Sequence, residues 1–388
     1  MNKINFFNIL DFGNSKIRFS VFDLNFNERF SDSKNVNIDD NFENHFEEVN
    51  KIIKNAEKKF SHHIEDIILT LDTAKVFIIN ISLTKNLEKK EKINKLYETL
   101  LLDLKQIISS HYSKYYISQI IMDKCLVDHK KKFMEIPSDE TTANNLKVDF
   151  KLICFPNELI NKIRENFIKI NLGIVNIFCS SYVKSQSYVK KLNKDKASFL
   201  DIGFRRSSLI FFENTKLKFI ESIPIGSSHI TKDISKIFKI PEEDAEKLKK
   251  FFNKTETEFS YDNKKSENST LFQDIIKKNI SIDLLKKVIL HRVQEIIDLI
   301  FKKSKINNLE HILEDTELFL IGEGSRLFNS NSFYLNDRFG FKSINYYSET
   351  DVQICNSSLE NYVSNFELPE INNKKQGLFE KFFNFFDK

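Results

Sequence analysis

Glycine is scarce in this chain, with only eight in 388 residues. Backbone that must turn sharply or let something approach closely therefore has few places to do so. Cysteine is scarce as well: Cys125, Cys154, Cys179 and Cys355 lie far apart, and no two have zinc-ligand or redox-pair spacing. That excludes a disulfide scaffold and predicts a reduced, cytosolic protein. The eight histidines form no His-Glu-x-x-His motif, and the His62-His63 pair, following a helical stretch, reads as a solvated turn. No apolar run approaches the ~20 residues of a membrane-spanning helix, and the first apolar run carries Asp11, so it reads as a strand and not as a signal peptide. Basic blocks are absent too. With a formal net charge of +4 and scattered charges, nucleic acid is not an expected partner.

What is present is a chain with 41% apolar and 29% charged residues, long enough for two or more lobes. The 38 phenylalanines, with abundant Lys, Asn and Ile, read as a compositional bias without functional content. Five of the eight glycines fall in three short motifs, each at the end of an apolar strand-like run. The first is Leu10-Asp11-Phe12-Gly13-Asn14-Ser15-Lys16. The second is Leu200-Asp201-Ile202-Gly203, followed by Pro224-Ile225-Gly226-Ser227-Ser228. The third is Leu320-Ile321-Gly322-Glu323-Gly324-Ser325.

Strands are expected at 4–10 and 16–24, a helix at 45–60, strands at 66–71 and 74–83, and a lysine-rich break at 84–92. A helix follows at 91–109, strands at 116–128 and 147–155, a helix from Pro156 to about Ile170, and a strand at 174–180 followed by a helix. From Ala197 the plan restarts, with strands at 197–203, 207–213 and 216–225. Superposing Leu10-Asp11-x-Gly13 on Leu200-Asp201-x-Gly203 gives an internal repeat offset by 190 residues: strand, Asp-x-Gly turn, strand. Helices at 228–238 and 241–252, a polar loop at 254–270, a long helix at 281–303 and a strand at 317–321 complete the second half.

An Asp at a buried strand end, ahead of a tight turn, presents a carboxylate toward a magnesium ion that keeps most of its waters. Hydroxyl and backbone donors after it cradle phosphate oxygens. Asn14, Ser15 and Lys16 supply donors in the first turn, and Ser207 and Ser208 in the second. Gly322 and Gly324 permit close approach of a nucleotide. An isolated Asp-x-Gly is usually an ordinary turn; two such turns and a third glycine motif in order, with the repeat, point to a cleft between duplicated halves.

These residues resemble the actin-like ATPase superfamily, and within it the bacterial cell-division family FtsA, over essentially the whole chain. Ile223–Ile234 resembles the family's Pro-x-Gly-Gly-x-x-(Val/Ile)-Thr-x-Asp-Ile segment, Ala245–Lys249 its nucleoside-contacting helix, and Leu320–Gly324 its adenosine motif. The resemblance implies an α/β, actin-like ATPase fold: two duplicated lobes around a nucleotide cleft, an inserted SHS2-like small domain in the first lobe and a C-terminal amphipathic helix. It implies ATP and Mg2+ as cofactors, with Asp11 and Asp201 on the magnesium side. The nucleotide contacts would be Asp11, Gly13, Asn14, Ser15, Lys16, Asp201, Gly203, Arg205, Gly226, Glu246, Lys249, Gly322, Gly324 and Ser325. Glu246 and Lys249 would lie by ribose and adenine.

Two departures stand out. Phe204-Arg205-Arg206 replace the Gly-Gly-Thr portion of the second loop, and Glu323 replaces the middle glycine of the adenosine motif. The arginines either bind phosphate themselves or stand as exposed turn residues. A nucleotide-binding scaffold with at most slow hydrolysis is the expectation.

On this plan the first lobe takes 1–83 and 156–196, the inserted domain 84–155, and the second lobe 197–226 and 309–355 with a small subdomain at 227–308. A linker follows at 356–376, then the amphipathic helix 377–388. On a helical wheel Leu378, Phe379, Phe382, Phe383, Phe385 and Phe386 fall within about 160°, with Glu380, Lys381, Asn384 and Asp387 opposite. Pattern alone leaves open a helix docked on its own domain; the resemblance implies membrane targeting. Six partly buried apolar side chains gross ~6–10 kcal/mol, and ordering about ten residues costs ~1 kcal/mol or more each. The local net charge of +2 adds ~2 kcal/mol on anionic lipid. One tail is marginal, so attachment would depend on arrays of tails.

The resemblance further implies self-association into filaments, and tethering of FtsZ to the inner face of the bacterial membrane at the division septum. Arg292 of the 227–308 subdomain is the candidate FtsZ contact, though an ordinary solvated helix arginine reads the same way. Later division proteins would bind the 84–155 domain. The competing expectations are a small-molecule kinase, for which no segment clearly supplies a base, and another filament or pilus-type actin homologue.

Overall fold

The computed structural model describes residues 6–36, 42–137, 141–255, 280–303, 316–328 and 340–365. The expected loop at 254–270 and the expected terminal helix at 377–388 lie almost wholly or wholly outside these residues. No helix among the described residues is long and apolar enough to cross a membrane. All four cysteines are buried and free.

Two five-stranded sheets share one plan. In the first, β1 (Phe7–Phe12) lies at the centre of the order β3-β2-β1-β4-β9, with β2 (Lys16–Phe22), β3 (Glu28–Asn35), β4 (Asp66–Leu71) and β9 (Gly173–Cys179). In the second, β10 (Lys196–Ile202) lies at the centre of β12-β11-β10-β13-β14, with β11 (Ser207–Glu213), β12 (Lys216–Ile223), β13 (Glu317–Ile321) and β14 (Ser343–Tyr346). In each, a central strand runs antiparallel to the next and parallel to a later one. The 190-residue repeat is therefore a repeat of sheet topology. Strand β3 was not expected. Its sequence, ERFSDSKN, is polar because it is an edge strand without a fully buried residue.

Helices cover these sheets. Helix α1 (Phe42–Phe60) buries Phe46, Val49, Ile52, Ile53 and Ala56 at helical spacing, the face expected from sequence. Helices α3 (Asn157–Lys169) and α4 (Ser180–Leu192) complete the first lobe. Helices α5 (Ser227–Phe238), α6 (Glu242–Thr255) and α7 (Ile282–Lys303) belong to the second, whose core joins Leu200, Ile234, Ile289 and Ile297. Helix α8 (Asp351–Asn365) returns to the first lobe, with Cys355 and Leu359 in its core. The linker expected from residue 356 thus begins as helix: Cys355, Ser358 and Leu359 face inward, and the helix's polar side chains mask that periodicity.

A third, four-stranded sheet, β5-β8-β6-β7, carries α2 (Ile93–His111) on one face. Its strands are β5 (Phe77–Lys92), β6 (Tyr115–Val127), β7 (Lys131–Phe133) and β8 (Thr142–Pro156). It has its own core, built from Leu96, Leu100, Leu104, Leu146, Val148 and Phe150. The lysine-rich break expected at 84–92 is a continuation of β5. Leu83 and Leu87 turn toward the core while Thr84 and Glu88 face solvent, a period-two alternation that the lysines obscure. The unit accordingly begins at Phe77 rather than 84. Pro156 ends β8, and Asn157 is the first helical residue. Lys218 on β12 reaches Asp123 on β6 at 3.0 Å, tying this small domain to the second lobe.

Candidate functional site

The carboxyl ends of the parallel strands β1, β4, β10 and β13 meet between the two lobes, where α/β sheets place their ligands. Asp11, Gly13, Asn14, Ser15, Asp201, Gly203 and Gly322 line the cavity there, together with Arg18, Asp72, Lys184, Arg206, Glu323 and Glu349. Of the expected nucleotide contacts, Lys16, Arg205, Gly226, Glu246, Lys249, Gly324 and Ser325 are not on its lining. The cavity has a volume of about 70 Å3, against the roughly 300–1,000 Å3 of pockets that bury whole small-molecule ligands.

The space is small because side chains of the chain fill it. Asp11 is 2% exposed; its Oδ2 accepts from Arg18 at 3.0 Å, and its Oδ1 accepts from the Thr70 and Ser180 hydroxyls, each at 3.0 Å. Asp201 is fully buried; its Oδ2 accepts from Arg206 at 2.7 Å and from Lys184 at 3.0 Å. Arg206 also donates from Nε to Asp72 and from Nη1 to the Ser208 hydroxyl at 2.9 Å. Lys184 faces Glu349 at 3.5 Å as well, and Glu349 accepts from the Gly322 backbone N–H at 3.1 Å. Arg18 donates to Glu323 at 3.1 Å and to Asp351 at 2.7 Å, and Lys16 donates to Asp351 at 2.6 Å.

The two arginines differ, and only Arg205 has the place of an exposed turn residue. Arg205 is exposed, whereas Arg206 is buried and points inward. Phe204 packs over Lys249, with the ammonium 5.6 Å from the ring centre. On the nucleoside side, Lys249 pairs with Glu246 at 2.5 Å and donates to the Thr231 hydroxyl and the Ser227 carbonyl, so both residues are committed to holding α6 on α5. Ser325 donates to the Gly322 carbonyl and closes its own turn.

The glycines also serve the chain itself. Gly322 has φ +83°, and a Cβ there would lie 2.5 Å from Asp201 Oδ1. At Gly226 a Cβ would lie 2.6–2.8 Å from backbone atoms of Gly203, Phe204 and Arg206. This close approach seats the turn that carries Arg206.

A hydrated magnesium ion does not fit the arrangement that Asp11 and Asp201 have here. Three of their four carboxylate oxygens already face donors of the chain. The fourth, Asp201 Oδ1, lacks a hydrogen-bond partner and abuts Gly322, leaving no room for a hydrated ion. Among the described residues no group of three His, Cys, Asp or Glu side chains has metal-holding geometry.

Burial alone would raise the Asp201 carboxyl, but Arg206 and then Lys184 outweigh it and hold it below the usual carboxylate range. Glu349 goes the other way, raised chiefly by burial. For Lys184, burial is overcome by Asp201 and Glu349, so the ammonium is held charged. A depressed carboxylate contributes stability that is complete above its unfolded value of ~3.9 and is lost as pH falls through the lower folded value. Urea unfolding at graded pH should show wild-type stability dropping below about pH 4 more steeply than that of Asp201→Asn. Equal slopes would contradict the pairing.

Sequence reasoning missed Arg18, Asp72, Lys184, Glu349 and Asp351. Arg18 carried one signal: it is a charged residue within the otherwise apolar or small run Ile17–Phe22, directly opposite Asp11 in the β1–β2 register. The others are brought in from distant segments, Asp72 lying 134 residues from Arg206.

Comparison with known proteins places this geometry. Residues 198–349 match the family Cell division protein FtsA. Among curated protein sequences none matches the chain. Among solved structures, the PilM-PilN type IV pilus biogenesis complex is similar over 91% of this chain and 98% of its own, at 13% identity and a TM-score of 0.55. MreB5 of Spiroplasma citri bound to ADP is similar over 94% of this chain and 98% of its own, at 12% identity and a TM-score of 0.51. The chain has the actin-like ATPase fold.

Proposed function

We propose, from a second lobe that matches the cell-division protein FtsA on an actin-like fold, that this chain is a cell-division actin homologue. The single observation carrying this reading is the match over residues 198–349. On it, the chain self-associates and tethers FtsZ to the inner face of the cytoplasmic membrane at the septum through Leu378, Phe379, Phe382, Phe383, Phe385 and Phe386. The 77–156 unit is left to contact later division proteins.

The ligand suggested for the cleft is ATP. Support comes from the fold and from the neighbour that holds ADP. Asn14, Ser15, Arg18, Lys184 and Arg206 are the donors that would meet its phosphates, and the ion pairs of Arg18, Lys184 and Arg206 with Asp11, Asp201 and Asp72 must part for it to enter. The FtsZ contact is assigned to the face of α5 and α7 that carries Arg292. There the guanidinium is held by Asp233 at 2.6 and 2.9 Å, beside Ile237, Leu284, Val288 and His291.

Co-sedimentation with anionic vesicles tests this. The full chain should carry FtsZ to vesicles, a chain ending before Gly377 should not, and Arg292→Ala should bind vesicles but carry less FtsZ. FtsZ recruitment by the shortened chain, or none by the full chain, overturns the tether. The second outcome would favour the pilus-type reading that the 0.55 TM-score with the PilM-PilN complex supports.

A further inference from the structure

At the floor of the cleft the two lobes touch through charged side chains. Arg206, in the turn after β10, crosses to Asp72, which follows β4. Lys184 of α4 crosses in the opposite direction to Asp201 at 3.0 Å. Arg18 of β2 crosses to Glu323 at 3.1 Å. The first two crossings are nearly dry: the side chains of Arg206 and Asp72 are 3% and 12% exposed and those of Lys184 and Asp201 7% and 1%, so salt screens them little. A magnesium–polyphosphate ligand would bridge the lobes by giving the strand-end carboxylates a cation and each lobe's donors an anion. Here each carboxylate already has a cation of the chain, and each of those cations also reaches a second carboxylate across or beside the cleft.

We propose that Arg206 and Lys184 are a built-in clasp, holding the two lobes closed with neither nucleotide nor divalent cation. The proposal stands apart from the division role. It concerns what closes the cleft, whichever assembly the closed form joins. Closure is then a property of the folded chain, and a nucleotide arriving with magnesium has to part Arg206 from Asp72 instead of drawing the lobes together.

The test measures lobe separation in the full chain. Spin labels on Lys54→Cys in α1 and Lys236→Cys in α5 sit on exposed positions of the two lobes, while the four native cysteines are buried. Pulsed dipolar spectroscopy is run in EDTA, in Mg2+ alone and in ATP with Mg2+. One narrow distance, the same in EDTA and in Mg2+ alone, is expected. A broad distribution in EDTA that narrows only with ATP and Mg2+ overturns the clasp. Asp72→Asn combined with Lys184→Met removes both dry crossings and leaves Asp201 its Arg206 partner, so the second lobe stays paired. The distribution in EDTA should then broaden, and an unchanged one overturns the proposal. If the double variant melts early, Asp72→Asn alone is read the same way, since that side chain is partly exposed.

Discussion

Arg206→Ala is expected to lower the unfolding free energy by about 3–5 kcal/mol, the cost of leaving a buried charge without its partner. Asp201 would keep only Lys184, which Glu349 already shares, and Asp72 would lose its cation. Arg205→Ala, one residue away and exposed, should stay within about 0.5 kcal/mol of wild type. The pair is informative because sequence makes the two arginines look equivalent. Arg206→Lys should recover only part of the loss, since one ammonium cannot span Asp72, Asp201 and Ser208 as the guanidinium fork does. Urea denaturation followed by far-UV circular dichroism would report all three. Coincident curves for Arg205→Ala and Arg206→Ala would mean that Arg206 is solvated and the cleft open.

Gly226→Ala should destabilise by about 2–3 kcal/mol, the usual range for overpacking. The added methyl would meet the Gly203 and Phe204 carbonyl oxygens and the Arg206 nitrogen at 2.6–2.8 Å, all of them backbone atoms that cannot swing aside. The Gly203–Arg206 turn would have to shift, moving Phe204 off Lys249 and Arg206 off Asp72. Loss of stability should therefore come with greater solvent access at the cleft, measurable as faster hydrogen exchange in segments 200–208 and 68–73. A destabilised variant with unchanged exchange there would separate the glycine from the clasp.

The frame of the molecule was legible in its sequence. Apolar runs ending in Asp-x-Gly gave β1 and β10, and their repeat anticipated two sheets of the same topology. Edges were harder to read. Strand β3 has no buried face, and lysines interrupt the alternation of β5. The glycines were located correctly while their partner was not. Gly226 and Gly322 let backbone approach, but what approaches is the end of β10. The charges of the cleft were least legible, because Asp72, Lys184 and Glu349 come from a post-strand turn, a helix and a late loop. Only folding brings them within 4 Å of Asp201 or its partners. Linear spacing carries no trace of a network closed over more than a hundred residues.

Helix α8 gives the network a reach beyond the cleft. Its first residue, Asp351, accepts from Lys16, Arg18 and Ser33, while its body lies against α4 and β1. In sequence, the apolar tail at 377–388 comes after this helix, which ends at Asn365. The helix is therefore moored at its first residue by the same arginine that neutralises Asp11. A pull on the chain beyond Asn365 would load the last turn first, where Asn361 meets Gln119 and Gln186 and Ser364 meets Lys190, and would reach Arg18 only through the length of the helix.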